Sequence, residues 1–267
     1  MNKPIVERVH VQVFGQAALL VLVAALAAAP LRLVEAGQQE KKEQPKKETA
    51  AKKTKQERAE PAAAPFVEDK GRFRVLVDGQ PAGTEDFQIS KAGNEWTARS
   101  TVEITSSGGA AKLTSHLRLR GDGTPVKYEF NMTGQDGKRS GVDVVFEGST
   151  ARTETRSADS APFSQEFFYE TPRVVVLDNN LYHHYALLAR MFDWKAKGAQ
   201  TFQVLIPQDL TPGSVTLEYL GQQAVGGAKL EALRMKSADL EVFLYVDANR
   251  RLMRLAVPDA KAEVIRE

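Results

Sequence analysis

Residues Glu95–Thr105, with the sequence EWTARSTVEIT, alternate strictly between apolar or small side chains and charged or hydroxyl-bearing ones. Successive side chains of an extended strand point to opposite faces, so this stretch predicts a strand with one face on a core and the other in water. Such a strand is typical of an antiparallel sheet, because parallel strands are usually buried on both faces. The predicted inward face consists of Trp96, Ala98, Ser100, Val102 and Ile104.

The same alternation continues on both sides of that strand, from Phe66 to the C-terminus. Arg72–Asp78 and Thr84–Ser90 flank Gly79–Gly83 and predict a hairpin. Consecutive strands joined by short turns form an antiparallel meander, and a sheet of about a dozen strands must curl, close or be covered at its edges. The predicted fold class is therefore all-β, with one large curved antiparallel sheet that forms a half-barrel or a closed barrel.

One segment, Leu181–Trp194 (LYHHYALLARMFDW), has helical periodicity. Asp178 or Asn179 is placed to cap its start, and Gly198 follows its end. Its apolar residues cover almost the whole circumference, which is typical of a buried helix. We expect this helix on the concave face of the sheet or in a barrel mouth, next to a filled core or an apolar cavity.

The N-terminal segment has the features of an export signal. Lys3 and Arg8 precede the apolar run Ala17–Ala29, which as a helix would rise about 20 Å and fall short of a bilayer core. Val34–Ala36 then offers a small-residue cleavage site, so residues 1–36 are predicted to be a signal peptide of a secreted, periplasmic protein. The alternative is an uncleaved segment that anchors the chain to the inner membrane, which would then be its membrane contact.

Residues 37–65 form a second, low-complexity segment before a single predicted domain at residues 66–267. The segment has no aromatic residue and no Val, Leu, Ile or Met, so it predicts a disordered Lys/Glu/Ala/Pro linker. It is interpreted as a solvated spacer or as a basic arm that touches anionic lipid or another envelope polymer.

Composition excludes several classes of protein. The chain has 36 basic and 34 acidic residues, but residues 66–267 hold 25 basic and 27 acidic ones, so the basic excess lies in the first 65 positions. No Lys/Arg stripe interleaves with aromatic residues in the domain, and no nucleic-acid partner is predicted. The absence of cysteine excludes disulfides, a thiol nucleophile and thiolate zinc sites.

Catalytic motifs are sparse. His183 and His184 are the strongest catalytic or metal candidates, but adjacent helical residues project about 100° apart and are not expected to chelate one ion from one face. Glu85 and Asp86 are neighbours in a strand, face opposite ways and are expected to be solvated. No G-x-S-x-G elbow or phosphate-binding glycine loop occurs. We therefore predict a protein that is not an enzyme, with no catalytic residue, no metal site and no cofactor.

Two stretches of the domain resemble a known family. Phe73–Gly79 followed by Gly83–Phe87 is similar to the first hairpin of uncharacterised β-rich secreted bacterial envelope proteins, and Phe243–Asp247 with Arg251–Pro258 to their final hairpin. In that family the same domain also occurs in front of secreted α/β-hydrolases, and its architecture resembles the half-barrels of lipoprotein and lipid carriers. The hydrolase part is not found in this sequence, so the resemblance implies a fold and no inherited activity.

These observations leave three functional hypotheses. The first is a non-enzymatic periplasmic or envelope protein that binds an apolar ligand, a lipid or acyl chain, between the curved sheet and the helix. The second is an interaction or scaffold module with an envelope protein as partner, and the third is a hydrolase or metal enzyme that uses His183 and His184. The aromatic cluster Phe163–Tyr169 either lines a ligand-binding mouth or packs in the core. The predicted ligand-binding residues are Trp96, Phe130, Phe167, Tyr182, Tyr185, Leu188 and Phe192.

Overall fold

The computed structural model describes residues 66–106, 109–238 and 240–267. The predicted signal peptide or anchor (1–36) and the predicted linker (37–65) lie outside these residues.

The described residues form fifteen strands and one α-helix. The first eight strands are β1 (Asp69–Val77), β2 (Gln80–Ala92), β3 (Glu95–Ser106), β4 (Gly109–Arg120), β5 (Pro125–Gly134), β6 (Arg139–Glu147), β7 (Thr150–Ser157) and β8 (Phe163–Phe168). The remaining elements are β9 (Val175–Val176), α1 (His183–Met191), β10 (Gln200–Ile206), β11 (Thr211–Val225), β12 (Ala228–Lys236), β13 (Glu241–Val246), β14 (Leu252–Val257) and β15 (Ala262–Arg266).

All fifteen strands belong to one sheet, in the order β8-β7-β6-β5-β4-β3-β2-β1-β15-β14-β13-β12-β11-β10-β9. Every neighbouring pair is antiparallel except β9 with β10, which is parallel. The prediction of one large curved antiparallel sheet is confirmed. The sheet is not closed, because β8 and β9 form its two edges and do not pair with each other.

The predicted alternation sets which side chains enter the core. In β3 the predicted inward residues are buried, and the hydroxyl of Ser100 meets that of Ser115 on β4 at 3.0 Å. The predicted first hairpin is also confirmed, although its strands are longer than expected. Its turn is Asp78-Gly79 with φ angles of 49° and 75°, the left-handed conformation that a tight two-residue hairpin turn requires.

Helix α1 lies in the core on the inner side of the sheet, where it packs against β13 and β14. Residues His183–Arg190 are all buried, which confirms the buried helix, although it is shorter than the predicted span 181–194. The expected cap by Asp178 or Asn179 is wrong, because Tyr182 occupies the capping position without a side-chain cap bond. In the described part of the chain, no helix is long and apolar enough to cross a bilayer.

Candidate functional site

A small apolar pocket lies between the N-terminal half of α1 and strands β10–β12. Its cavity volume is about 30 Å³, room for only a few atoms of a ligand. The polar part of its lining is Asn179, Asn180 and Ser237. The apolar and aromatic part is Leu177, Tyr182, Tyr185, Val204, Ile206, Val215, Met235 and Leu240.

One wall of the pocket comes from Leu177–Tyr182, the segment that connects β9 to α1 and is called the strap from here on. The opposite wall comes from inward-facing positions of the sheet, such as Val204 on β10, Val215 on β11 and Met235 on β12. The pocket thus lies beside one edge of the open sheet.

The two pocket tyrosines carry neutral hydroxyl groups. Burial raises the pKa of Tyr185 to about 12 and also raises that of Tyr182. Within the described residues neither hydroxyl has a hydrogen-bond partner. The site therefore combines an apolar wall with two unused hydroxyl groups.

The seven predicted ligand-binding residues are all buried in the one hydrophobic core. The structure brings Tyr182 and Tyr185 together at the pocket. The other five lie elsewhere in the same core and do not line it. They are Trp96, Phe130, Phe167, Leu188 and Phe192.

A carboxylate from the sheet holds the start of α1. Glu85 on β2 is fully buried, and its Oε2 accepts hydrogen bonds from the backbone N–H groups of Tyr182 (2.9 Å) and His183 (3.0 Å). Its Oε1 lies 2.7 Å from Nδ1 of His183. The carboxylate thus satisfies N–H groups that a helix start leaves free, and its negative charge favours that end of the helix dipole.

The expectation that Glu85 is solvated is therefore wrong. Its neighbour Asp86 does face solvent and pairs with Arg72, as the opposite faces of a strand require. Glu85 shares the inward face with Phe87 and Ile89. That alternation is visible in the sequence and was the signal that could have identified a buried carboxylate.

A second buried carboxylate, Asp178, lies in the strap. Its Oδ2 accepts a hydrogen bond from the Tyr128 hydroxyl on β5 at 2.5 Å, and its Oδ1 accepts the N–H groups of Asn179 and Gln208, each at 3.0 Å. The β1–β15 pair divides the sheet into two arms, β1–β8 and β9–β15. Gln208 follows β10 in the second arm, whereas Tyr128 belongs to β5 in the first. Burial raises the pKa of Asp178 to about 6 in spite of these hydrogen bonds. Asp178 therefore links the two arms at a second place, away from the β1–β15 pair that joins them within the sheet.

His183 and His184 on α1 each have one ring nitrogen in a hydrogen bond and one without a partner among the described residues. The N–H of Asp178 donates to Nδ1 of His184 at 3.2 Å, so a neutral His184 carries its proton on Nε2. Burial and the neighbouring His183 lower the pKa of His184 well below its ordinary value. In the described part of the chain, Nε2 of both histidines lacks a partner, and no group of three potential ligands surrounds a metal position. Both rings are fully buried, 4.4 Å apart between centroids.

No family model matches the sequence, and a search of curated proteins gave no match. Among solved structures, the fold is similar to a β-barrel-like protein with the domain of unknown function DUF1849 from Brucella abortus. That alignment has a TM-score of 0.51 at 10% identity and covers 77% of this chain and 97% of the other. A DUF1089 family protein from Pseudomonas aeruginosa has a TM-score of 0.42 at 12% identity, with coverage of 63% and 87%.

The likeness to the Brucella protein defines the class of fold, a β-barrel-like domain built on one open sheet. At 10% identity it concerns the fold alone. It agrees with the coarse part of the sequence resemblance, an uncharacterised β-rich domain.

Proposed function

We propose that the protein is a non-enzymatic envelope protein that binds an apolar ligand, a lipid or acyl chain, at the pocket beside α1. The observation that carries this proposal is the lining of the pocket, in which apolar side chains from three strands face the strap and two helix-side tyrosines. Small-molecule sites commonly pair an apolar wall with a few polar groups that orient the ligand. The hydroxyls of Tyr182 and Tyr185 are suited to the polar end of an amphiphile.

The enclosed volume sets a limit on the bound state. A space of 30 Å³ accepts about one methylene group, whose burial contributes about 0.8 kcal/mol. Micromolar affinity needs about 8 kcal/mol, which corresponds to roughly ten buried methylenes. The pocket in its closed form thus holds the tip of an acyl chain and must widen to bind the rest.

The test is acyl-chain binding by variants that place the same bulky residue at the pocket and away from it. Ser237 lines the pocket, whereas Ser214 is exposed on β11. We expect Ser237→Trp to weaken binding of cis-parinaric acid at least tenfold, and Ser214→Trp to leave it unchanged. Lipid extraction of the gently purified full chain followed by mass spectrometry checks for a natural ligand. Equal binding by the two variants, or no binding and no lipid in the wild type, would refute the proposal.

The envelope location is supported by residues 1–36. We expect alkaline phosphatase fused after residue 65 to be active in a bacterial host, because this enzyme folds outside the cytoplasm. The intact mass of the natural chain separates the two forms, since cleavage after Ala36 leaves Gly37 as the first residue. An inactive fusion would contradict export.

A second candidate function, docking of an envelope protein, is favoured by the exposed edge strand β8. Phe163 and Phe168 at its two ends are 53% and 77% exposed, and the outer side of β8 has no strand partner in the described sheet. Open edges can add a strand from another protein. We expect Phe163→Ser with Phe168→Ser to abolish crosslinking to such a partner, whereas Val67→Ser, at another exposed apolar residue, should not. A crosslinking pattern that neither change alters would argue against this function.

A further inference from the structure

We propose that residues Leu177–Asn180 of the strap are a lid that must move to admit the ligand, and that Asp178 is the latch that keeps it closed. This inference rests on the proposed function, because the closed pocket holds one methylene while a bound acyl chain needs room for about ten. It explains how a core that is almost filled can still accept a ligand.

The position of the strap makes it the movable wall. It follows β9, a strand of two residues at the edge of the sheet, and β9 has β10 as its partner but no partner on its other side. The strand walls of the pocket belong to β10–β12, which are paired on both sides. Tyr185 of α1 and the turn residues Ser237 and Leu240 complete the lining. Displacing the strap therefore breaks fewer backbone hydrogen bonds than displacing one of these strands.

The contacts that hold the strap converge on Asp178. Its carboxylate accepts hydrogen bonds from Tyr128 and Gln208 outside the strap, and its N–H donates to His184. A second, more exposed pair of contacts joins Asn179 to the turn after β10, where its Nδ2 donates to Asp209 (2.9 Å) and its carbonyl accepts from Gln208 (2.9 Å). The buried part of this attachment consists of the Asp178 contacts and one backbone hydrogen bond, from the N–H of Leu177 to the carbonyl of Leu205 at 3.0 Å.

The far end of the strap has a separate anchor. Glu85 accepts the N–H groups of Tyr182 and His183, and Leu181 is fully buried. Glu85 therefore keeps α1 against β2 while Leu177–Asn180 moves, so the lid swings about the start of the helix.

Charge gives the latch a pH dependence. The titratable groups that face Asp178 are Tyr128 from β5 and His184 and Tyr185 from α1. Two further carboxylates lie one step away: Glu85 of β2 raises the pKa of Tyr128, and Asp209 accepts a hydrogen bond from Asn179, the neighbour of Asp178. None of them places a positive charge on Asp178, because His184 is neutral. An ionised Asp178 is stabilised when it reaches water, so opening is favoured as pH rises from about 4 through about 6. The opening equilibrium should rise by at most about 100-fold over this range.

Thiol labelling tests the lid directly, because the chain has no natural cysteine. Leu177→Cys places a buried thiol in the strap itself, and Val264→Cys places a matched buried thiol on β15 in the core. Each full-length variant is labelled with 4,4′-dithiodipyridine at pH 4 to 7, and each rate is divided by that of the same variant unfolded in denaturant. The comparison separates local opening of the strap from global unfolding.

We expect the thiol at position 177 to react at least tenfold faster than that at 264, and its rate to rise with pH. Adding Tyr128→Phe should accelerate labelling at 177 about tenfold more than at 264. Adding Asp178→Asn should remove the pH dependence, because the amide can still accept the two N–H groups and donate to the tyrosine oxygen. Equal rates and equal responses at both positions would overturn the lid.

Labelling in the presence of cis-parinaric acid distinguishes this inference from the proposed function. Local opening that the fatty acid does not slow supports the lid and counts against acyl-chain binding at this pocket. Fatty-acid binding without local opening at position 177 supports the function and overturns the lid.

Discussion

At the scale of single residues, three polar groups on α1 contact three residues of the sheet or strap. His183 meets Glu85, His184 accepts from the N–H of Asp178, and Arg190 binds Asp69 at 3.1 Å. Each of these polar residues interrupts a sequence that is otherwise apolar. Since buried polar groups require partners, the interruptions mark the points where the helix is attached.

Glu85→Ala should be strongly destabilising. The change leaves two backbone N–H groups and Nδ1 of His183 without a partner in the core, so we expect a loss of about 3–5 kcal/mol in the free energy of unfolding. The matched control is Asp86→Ala, whose side chain pairs with Arg72 on the exposed face and should contribute less than about 1 kcal/mol. Urea denaturation measures both, and a similar effect of the two substitutions would contradict the role of Glu85.

Asp178→Asn should change the pH dependence of stability. The pKa of Asp178 is raised from 3.8 to about 6 in the folded protein, so its contribution to stability is fully present below pH 4 and is lost as pH rises through 6. The wild type should therefore lose up to about 3 kcal/mol relative to the Asn variant between pH 4 and pH 7. The free energy of unfolding of both proteins is measured by urea denaturation at several pH values. If it changed with pH in the same way in the wild type and the Asn variant, this carboxylate would not titrate as described.

At the scale of elements, the alternation of apolar and polar residues predicted the strands and their inward faces, because the buried side chains of each strand are apolar and the exposed ones polar. The strands β1 and β2 extend beyond the predicted hairpin because Asp69–Gly71 of β1 also pair with β2, and Lys91 and Ala92 of β2 also pair with β3. The position of the pocket beside the strap could not be predicted from the sequence. Tyr182 and Val204 become neighbours only because of the order and curvature of the complete sheet. Leu188 and Phe192 were grouped with these tyrosines by helical spacing alone.

Leu188→Ala should behave as a core substitution. Leu188 is fully buried and does not line the pocket, so we expect a loss of about 2–5 kcal/mol in the free energy of unfolding. Acyl-chain affinity, measured where the variant is folded, should stay within about twofold of the wild type. A large loss of affinity with little change in stability would instead place Leu188 in the ligand site.

At the scale of the whole molecule, the sheet is continuous because the first and last strands pair. The β1–β15 pair joins an arm of eight strands to an arm of seven, and Arg266 reinforces it by binding Asp69 at 2.6 Å. The choice between a half-barrel and a closed barrel was open from the sequence, because closure depends on whether two distant edges meet and leaves no local pattern.

Removing the last strand should separate the two arms. Truncation after Lys261 deletes β15 and exposes the edges of both β1 and β14, so we expect loss of cooperative unfolding and aggregation. Removing Glu267 alone deletes two contacts with β1, from its N–H to the carbonyl of Arg72 and from its carboxylate to Arg74, and should leave the fold intact. Cooperative thermal unfolding of the longer truncation, followed by circular dichroism, would contradict this expectation.

The pairing of β1 with β15 also determines when the sheet can be completed during synthesis of the chain. A ribosome makes β1 as the first of the described strands and β15 as the last, so one edge of β1 has no partner until all the other strands have been made. The domain cannot complete its sheet while it is still being made. The two arms of the sheet can therefore be joined only after every other described strand has been made.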